Sequence, residues 1–324
     1  MIRRCAPFVL ACLIAAPAPA QAGGAAVYVV SQEAGMLARV GAGAAAADPA
    51  LLVGPRPAGI AVGPGGQVYL SHPDHRAITV VGGRDGPALR RLAFAGQAFG
   101  IAVSDDGASL FVGDWRAGTV SRLSTASGGV EGIAGVGREP AGLALDRAGR
   151  LFVADRESRQ VSVVDTRSMV RIATVAAGEA PFALALNPRQ DRLYVANVRS
   201  NTLTVIDTRS LEPVATVPVG AMPYGVAVSP DGRLVLVTNQ HAGTVSVLDA
   251  DRLTLAGTVA VGKYPEGIAV LGGRAYVANW FSDDVSVIDL ATLRESERIR
   301  VGAGPRAIAL GAPEAPGTPD ERVR

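Results

Sequence analysis

A six-residue segment returns seven times along the chain, and this repetition limits the possible folds more than any other feature. Six of the seven copies begin with proline, and they start at positions 57, 98, 140, 181, 223, 265 and 305. Successive starts lie 41, 42, 41, 42, 42 and 40 residues apart. A period of about 40 to 45 residues is typical of the four-stranded blade of a β-propeller. The sequence therefore predicts an all-β, seven-bladed β-propeller.

Each repeat contains enough alternating sequence for four strands. In the fifth repeat these are Gly225–Val228, Leu234–Thr238, Thr244–Leu248 and Leu255–Val261, here called strands A to D. Asp231 and Gly232 stand between A and B, and an Asp-Gly pair is a strong hairpin signal. Alternation with β-branched residues favours strands, and no stretch of ten residues has helical apolar spacing.

The two ends of the chain predict how the ring closes. The last repeat supplies only a strand A, Pro305–Leu310, whereas the first described strands match B, C and D of a repeat at Val27–Val30, Leu37–Val40 and Leu51–Val53. We expect these pieces to form one blade, with Ile308 and Leu310 buried. Such closure removes unpaired sheet edges that recruit other chains.

Residues 1–22 have the pattern of a cleaved secretory signal. Arg3 and Arg4 precede an apolar run, and Ala20-Gln21-Ala22 offers a small-residue cleavage site. The run is shorter than the roughly 20 apolar residues that a membrane-spanning helix needs. We therefore expect export to the periplasm or secretion, a propeller over 23–310, and a disordered tail over 311–324.

Charge and cysteine content exclude some classes of partner and site. Removal of the signal takes Lys+Arg from 31 to 29, against 29 Asp+Glu, so the mature chain is formally neutral and predicts no polyanionic partner. Both cysteines, Cys5 and Cys12, lie in the signal. The mature chain thus has no disulfide, thiolate metal site or cysteine nucleophile, and it cannot form the Cys-x-x-Cys-His signature of a c-type haem.

Polar residues recur where strands end. Strand B ends in Asp114, Asp155, Asn197, Asn239 or Asn279, and strand C ends in Asp165, Asp207, Asp249 or Asp289. A row of carboxylates is compatible with acid/base chemistry, but repetition around a ring favours hydrogen bonds to turning backbone. We interpret these residues as scaffold.

Some of these strand endings resemble a known family. Tyr194-Val195-Ala196-Asn197, Tyr276-Val277-Ala278-Asn279 and Leu236-Val237-Thr238-Asn239 are similar to the YVTN repeat of YncE-like periplasmic propellers and surface-layer propellers. The resemblance extends over nearly all of the mature chain and implies a seven-bladed propeller. It implies no activity, because the family shares no catalytic motif.

Candidate binding residues occupy loop positions that vary between repeats. In a propeller the D-to-A and B-to-C loops surround one mouth of the central channel, so side chains that differ there are natural ligand contacts. Aromatic residues are only 5% of the chain, yet many fall in these loops. The predicted ligand-binding set is Arg56, Phe99, Trp115, Arg138, Phe182, Tyr224, Lys263, Tyr264, Glu266, Trp280 and Arg306. The alternative is that these rings only fill gaps between blades.

The three histidines suggest a metal site only weakly. His72 and His75 fall in the first repeat and His241 in the corresponding loop of the fifth, three blades away by the shorter route. Zinc needs nitrogen ligands at about 2.0 Å, so these side chains should not converge. No metal or other cofactor is predicted, and the serine nucleophile motif Gly-x-Ser-x-Gly does not occur.

Three functions stay open at the level of sequence. The favoured one is an extracytoplasmic, monomeric binding or scaffold module for a small molecule, a cell-envelope component or a protein. An enzyme, such as a lactonase-like hydrolase or lyase using Glu266, Arg306, Lys263, Glu33 or His72, rests on fold analogy alone. Binding of single-stranded nucleic acid is suggested by the family and by Arg residues near Trp115 and Trp280, and the neutral charge weighs against it.

Overall fold

Seven antiparallel sheets of four strands surround a central channel in the computed structural model, which describes residues 25–82 and 89–311. Blades 1 to 6 each consist of four strands that are consecutive in the sequence. The predicted seven-bladed β-propeller is confirmed. The predicted signal segment and the predicted tail beyond Gly311 lie outside the described residues.

The strands follow the predicted A-to-D order in every blade. Blade 7 is completed by the first three strands, β1 (Ala26–Ser31), β2 (Met36–Gly41) and β3 (Leu51–Leu52). Blades 1 to 3 contain β4 (Ile60–Val62), β5 (Val68–His72), β6 (Ala77–Val81), β7 (Leu89–Ala93), β8 (Ala98–Val103), β9 (Ser109–Asp114), β10 (Thr119–Ser124), β11 (Val130–Gly135), β12 (Pro140–Leu145), β13 (Arg150–Asp155), β14 (Gln160–Asp165) and β15 (Val170–Ala176).

The strands of blades 4 to 6 are each six or seven residues long. Blades 4 to 6 contain β16 (Pro181–Leu186), β17 (Arg192–Asn197), β18 (Thr202–Asp207), β19 (Glu212–Pro218), β20 (Pro223–Val228), β21 (Leu234–Asn239), β22 (Thr244–Asp249), β23 (Thr254–Ala260), β24 (Pro265–Leu271), β25 (Arg274–Asn279), β26 (Asp284–Asp289) and β27 (Arg294–Arg300), and β28 (Pro305–Leu310) begins blade 7. Three single turns of 3₁₀ helix follow strand B at Pro73–His75, Arg156–Ser158 and Trp280–Ser282. In the described part of the chain, no helix is long and apolar enough to cross a bilayer.

Blade 7 closes the ring as the sequence predicts. Strand β28 pairs antiparallel with β1, with Val29 opposite Ile308 and Val27 opposite Leu310. Ile308, which was expected to be buried, is partly buried and packs against the cluster between blades 6 and 7. The expectation that Leu310 is buried is wrong, because this side chain is 45% exposed at the end of the last strand.

The hydrophobic core lies between blades rather than at one centre. Seven clusters of buried residues each join two neighbouring blades, and blades 4 and 5, for example, share Tyr194, Leu203, Val235 and Leu248. Period-two alternation gives every strand two apolar faces, which a middle strand can bury against both neighbours. This packing between blades makes the ring around the channel rigid, and the ring fixes the position of the loops.

The recurring polar residues at the end of strand B reach across to strand C. Asn197 Nδ2 donates to Thr204 Oγ1 at 2.9 Å, and Asp155 Oδ2 accepts from Ser162 Oγ at 2.6 Å. Asn239 and Asn279 make the same contact with Ser246 and Ser286. These side chains are buried and serve the scaffold, as predicted.

The same position explains His72, which the sequence predicted to lie in the B-to-C loop of the first repeat. His72 is the last residue of β5, has no exposed surface, and takes the place of the asparagine. Its Nδ1 lies 2.7 Å from the Pro55 carbonyl and therefore carries the proton, while Nε2 accepts from Thr79 Oγ1 at 2.9 Å. Burial lowers the pKa of His72. The histidine is a neutral scaffold residue.

Aspartates at the end of strand C cap turns, in agreement with the scaffold interpretation. Asp207 Oδ1 accepts the backbone N–H groups of Arg209 and Ser210, and Asp249 Oδ1 accepts those of Asp251 and Arg252. These hydrogen bonds to the ionised carboxylates hold the pKa of both groups below its usual range.

Candidate functional site

The variable residues of the D-to-A connections surround one mouth of the channel. Below them lies a cavity of about 220 Å³, the channel cavity, whose upper layer includes Ala58, Phe99, Phe182, Tyr224 and Arg306. The next layer is aliphatic in every blade and consists of Ile60, Ile101, Leu143, Leu184, Val226, Ile268 and Ile308. The mouth thus combines a charged and aromatic rim with an apolar interior.

Aromatic rings occupy one arc of this rim in direct contact. The ring centroids of Phe182 and Tyr224 are 4.0 Å apart, those of Phe99 and Phe182 are 5.8 Å apart, and those of Phe99 and Trp115 are 4.5 Å apart. These four aromatic residues of the predicted ligand-binding set therefore form one continuous surface. Contacts of this type are favourable and hold each ring in a fixed orientation.

Arg306 extends from blade 7 into the centre of the mouth. Its Nη2 donates to Tyr224 Oη at 2.6 Å, two blades away, and its Nη1 donates to Gln32 Oε1 at 3.3 Å. The guanidinium carbon lies 5.5 to 5.9 Å from the ring centroids of Phe99, Tyr224 and Trp280, within the range of cation–π attraction. Ala58, on the next blade, leaves the space through which Arg306 approaches Phe99.

Glu266 is the acidic partner of this arginine and is almost completely buried. Its side chain is 5% exposed, with Oε2 3.7 Å from Arg306 Nε and Oε1 accepting from Gln240 Nε2 at 2.9 Å. Oε2 has no hydrogen-bond partner among the described residues. Burial raises the pKa of Glu266 to about 7, although Arg306 and Gln240 both act in the opposite direction. At neutral pH, Arg306 is therefore only partly neutralised.

A second cavity opens above Ala58 on the loop side of the mouth. This outer crevice has a volume of about 250 Å³ and is lined by Gln32, Arg56, Ala58, Pro73, Asp74, Gln97, Phe99, Trp115 and Arg306. Arg56 Nε lies 3.0 Å from Asp74 Oδ2, with both side chains exposed. Arg306 and Phe99 line both the outer crevice and the channel cavity, so they separate the two spaces.

Arg138 belongs to a neighbouring basin that is rich in arginine. The basin has a volume of about 710 Å³ and is lined by Trp115, Arg116, Ala117, Gly118, Arg138, Glu139, Arg156, Glu157 and Arg199. Glu157 contacts Arg156 at 2.8 Å and Arg199 at 2.7 Å, and the bond from Arg199 helps to lower the pKa of Glu157. Arg156 also contacts Glu139 at 2.8 Å, so four of the six charged side chains of the basin are paired with one another.

The remaining predicted residues lie on the opposite arc. Trp280 packs near Arg306, whereas Tyr264 contacts Phe281 with ring centroids 5.0 Å apart. Lys263 is exposed, and its backbone N–H donates to Ser282 Oγ. Lys263 therefore lies at the rim without a side-chain link to the central cluster.

Sequence analysis missed three polar residues of the mouth. Gln32 and Gln240 hydrogen-bond Arg306 and Glu266, and Gln97 lines the outer crevice. Each of the three lies directly before or after a strand. They were missed because none of them belongs to a recognisable motif. Their signal is positional: Gln32 and Gln240 directly follow a strand B, where Trp115 and Trp280 also stand.

The three histidines do not come together in the structure. His72 is enclosed in the scaffold, His75 and His241 are exposed on different blades, and the described residues contain no group of three His, Cys, Asp or Glu arranged to hold a metal ion.

Comparison with known proteins supports the fold and leaves the function open. A family model described as the cytochrome D1 heme domain matches residues 147–267, less than half of the chain. No curated protein sequence matches this one. The lining of the channel cavity includes no His, Cys or Met side chain, so this cavity offers no axial ligand for a haem.

Solved structures share the architecture at low sequence identity. A functionally unknown protein from Desulfotomaculum acetoxidans is 13% identical, with a TM-score of 0.78 over 90% of this chain and 100% of that one. A streptogramin B lyase is 13% identical, with a TM-score of 0.68 over 78% and 86% of the two chains. Hydrazine synthase from Kuenenia stuttgartiensis is 18% identical, with a TM-score of 0.51 over 72% and 95%. These likenesses establish the propeller fold.

Proposed function

We propose that this chain is an exported, monomeric propeller of the YVTN type that binds a ligand at the mouth formed by its D-to-A and B-to-C loops. One observation carries the proposal: residues that differ from blade to blade converge at this mouth, whereas residues that repeat are used inside the scaffold. A residue required only by blade geometry would recur, so the variation points to a role outside the fold.

Binding has more support than catalysis. Glu266 is the residue at the mouth whose pKa would suit acid/base chemistry at neutral pH. Its carboxyl group, however, is buried beside Gln240 and Arg306 and lines neither the channel cavity nor the outer crevice. A hydrolase or lyase resembling the streptogramin B lyase therefore stays the alternative.

A native ligand can be sought by mass spectrometry of the protein purified from an exporting host. The informative variant combines Trp115→Ala with Phe281→Ala, which removes rings from both arcs of the mouth. Phe281 is 65% exposed and Trp115 lies at the entrance to the outer crevice, so we expect a small effect on folding. Loss of two stacking contacts at about 1 to 3 kcal/mol each should weaken binding at least tenfold.

The matched control is Ile133→Ala on the outer strand of blade 2, where the side chain is 60% exposed and far from the mouth. The control should keep the co-purifying ligand and the double variant should lose it, with similar melting temperatures. Equal retention by both variants would contradict binding at this mouth. Recovery of an oligonucleotide would instead support the nucleic-acid alternative.

A further inference from the structure

The outer crevice has the features of a site for a small anion. The Arg306 side chain is only 18% exposed. Hydrogen bonds to Tyr224 and Gln32 hold its guanidinium in place. Only two of its five N–H groups make hydrogen bonds to described residues. A fixed guanidinium with free donors is suited to a planar, two-oxygen acceptor.

The charges that line the crevice favour a monoanion. Arg56 and Asp74 neutralise each other at 3.0 Å, which leaves the charge of Arg306. Glu266, behind Arg306, cancels that charge only when it is ionised. The crevice therefore carries one uncompensated positive charge when Glu266 is protonated and none when it is ionised.

Two aromatic rings determine the shape of the rest of the ligand. Phe99 and Trp115 both line the crevice, with centroids 4.5 Å apart and planes inclined by 46°. The Phe99 centroid is 5.5 Å from the guanidinium carbon of Arg306. A ring attached directly to an acid group on Arg306 would therefore lie against Phe99, where stacking is favourable.

We propose that the outer crevice binds a small aromatic monocarboxylate, with its carboxylate on Arg306 and its ring against Phe99 and Trp115. The inference rests on the proposed binding function and specifies its ligand class. A volume of about 250 Å³ limits the ligand to a compact molecule. Gln32 contributes an amide N–H₂ as a further donor, since its Oε1 already accepts from Arg306.

Binding is coupled to a proton on Glu266. The groups that act on this carboxyl are Arg306 of β28, Tyr224 of β20 and the neutral amide of Gln240, while Tyr264, in the loop before β24, acts on Arg306 and Tyr224. An anion on Arg306 repels the ionised form of Glu266 and raises its pKa further. By linkage, affinity is higher below the pKa of about 7 and falls as the pH rises through it.

The test is calorimetric titration of the full mature chain with benzoate, which stays ionised between pH 6 and pH 8. We expect the affinity at pH 6 to be about two to five times that at pH 8, the range that an upward pKa shift of about half a unit to one unit produces between these two pH values. Glu266→Gln should remove this pH dependence while keeping benzoate binding. Cyclohexanecarboxylate, which has the same charge without a π-face, should bind more weakly.

Matched variants separate this site from its surroundings. Arg306→Lys keeps the charge but loses the planar fork and should weaken binding at least tenfold, whereas Arg199→Gln in the arginine basin should change nothing. Histidine normally changes charge between pH 5 and 8, and the His241 ring lies 6.0 Å from that of Tyr264. His241→Gln is therefore the control for Glu266→Gln, and it should keep the full pH dependence.

Each outcome decides the proposal. Absence of benzoate binding, equal affinity in Arg306→Lys and Arg199→Gln, or pH dependence that follows His241 would overturn it. If the native ligand found by mass spectrometry requires Trp115 and Phe281 but carries no carboxylate, and benzoate does not bind, the binding function survives and the ligand class is wrong. Specific benzoate binding without a co-purifying ligand supports the site by itself.

Discussion

Asp155 differs in one atom from the asparagines at the equivalent positions of blades 4 to 6, and this difference has an energetic consequence. Asn197, Asn239 and Asn279 place a neutral amide between strands B and C, whereas blade 3 places a carboxyl group there with no exposed surface. Asp155 Oδ1 has no hydrogen-bond partner among the described residues. Burial raises the pKa of Asp155 despite hydrogen bonds from Ser162 and Gln160.

Asp155→Asn should therefore stabilise the protein at neutral pH, on the order of 1 kcal/mol. The native state holds this proton to a higher pH than the unfolded chain, so the contribution of Asp155 to stability is lost as the pH rises from the ordinary aspartate range through the raised pKa. Urea unfolding at pH 4 and pH 7.5 measures the effect. The gain should be larger at pH 7.5, and a gain that is equal at both values would show that the charge is not its source.

Asp114→Asn is the control for this substitution. Asp114 is partly exposed, and its Oδ1 accepts three backbone N–H groups, those of Gln97, Arg116 and Ala117. A carboxylate in that setting is well satisfied, so we expect no stabilisation from the amide.

The connection between strand D and the next strand A is built around glycine because the end of strand B fills the space beside it. A Cβ on Gly220 would lie 2.5 Å from Asn239 Cγ, and a Cβ on Gly262 would lie 2.5 Å from Asn279 Cγ. Both amides are held by hydroxyl groups of strand C and cannot withdraw. The repeated glycine and the repeated asparagine are therefore two parts of one packing unit.

Gly220→Ala should destabilise the protein by about 1 to 3 kcal/mol, the range for overpacking at a rigid position. The control is Gly135→Ala at the end of β11, where a Cβ would have no atom within 4 Å; there we expect a change within about 0.5 kcal/mol. Equal unfolding midpoints for the two variants would show that Asn239 can move aside.

The repeats were sufficient to predict elements but not the direction of individual side chains. The spacing of the repeats predicts the blade period, the order of the strands and the pair of strands that closes the ring. It does so because every blade follows one pattern, in which both faces of the middle strands are buried. The role of His72 depends on hydrogen bonds to Pro55 and Thr79, which no sequence spacing shows. Likewise, the hydrogen bond from Arg306 to Tyr224 joins side chains that are two blades apart, which the repeat spacing does not show.

At the scale of the whole molecule, ring integrity depends on one interface formed by the two ends of the described chain. Strand β28 covers Val27 and Val29 of β1, both of which have no exposed surface. Beyond the last pair, Gly311 N donates to Ala26 O at 2.8 Å. Removal of β28 would expose this edge and open the ring between blades 6 and 7.

A chain that ends at Ala303 should melt at least about 10 °C below one that ends at Gly311, since several kcal/mol are lost and each shifts the midpoint by about 2 to 4 °C. Its unpaired strand edge should also promote aggregation. Addition of a synthetic peptide of residues 304–311 should restore much of the difference in scanning calorimetry. Identical melting of the two chains would show that β28 does not secure the ring.

Blade 7 also determines when the protein can finish folding. Its inner strand is among the last parts of the described chain to be synthesised, whereas its other three strands are the first. During synthesis, the inner edge of β1 to β3 therefore stays open to other chains until β28 is made. We expect a chaperone that assists folding to act at the start of this chain rather than at its end.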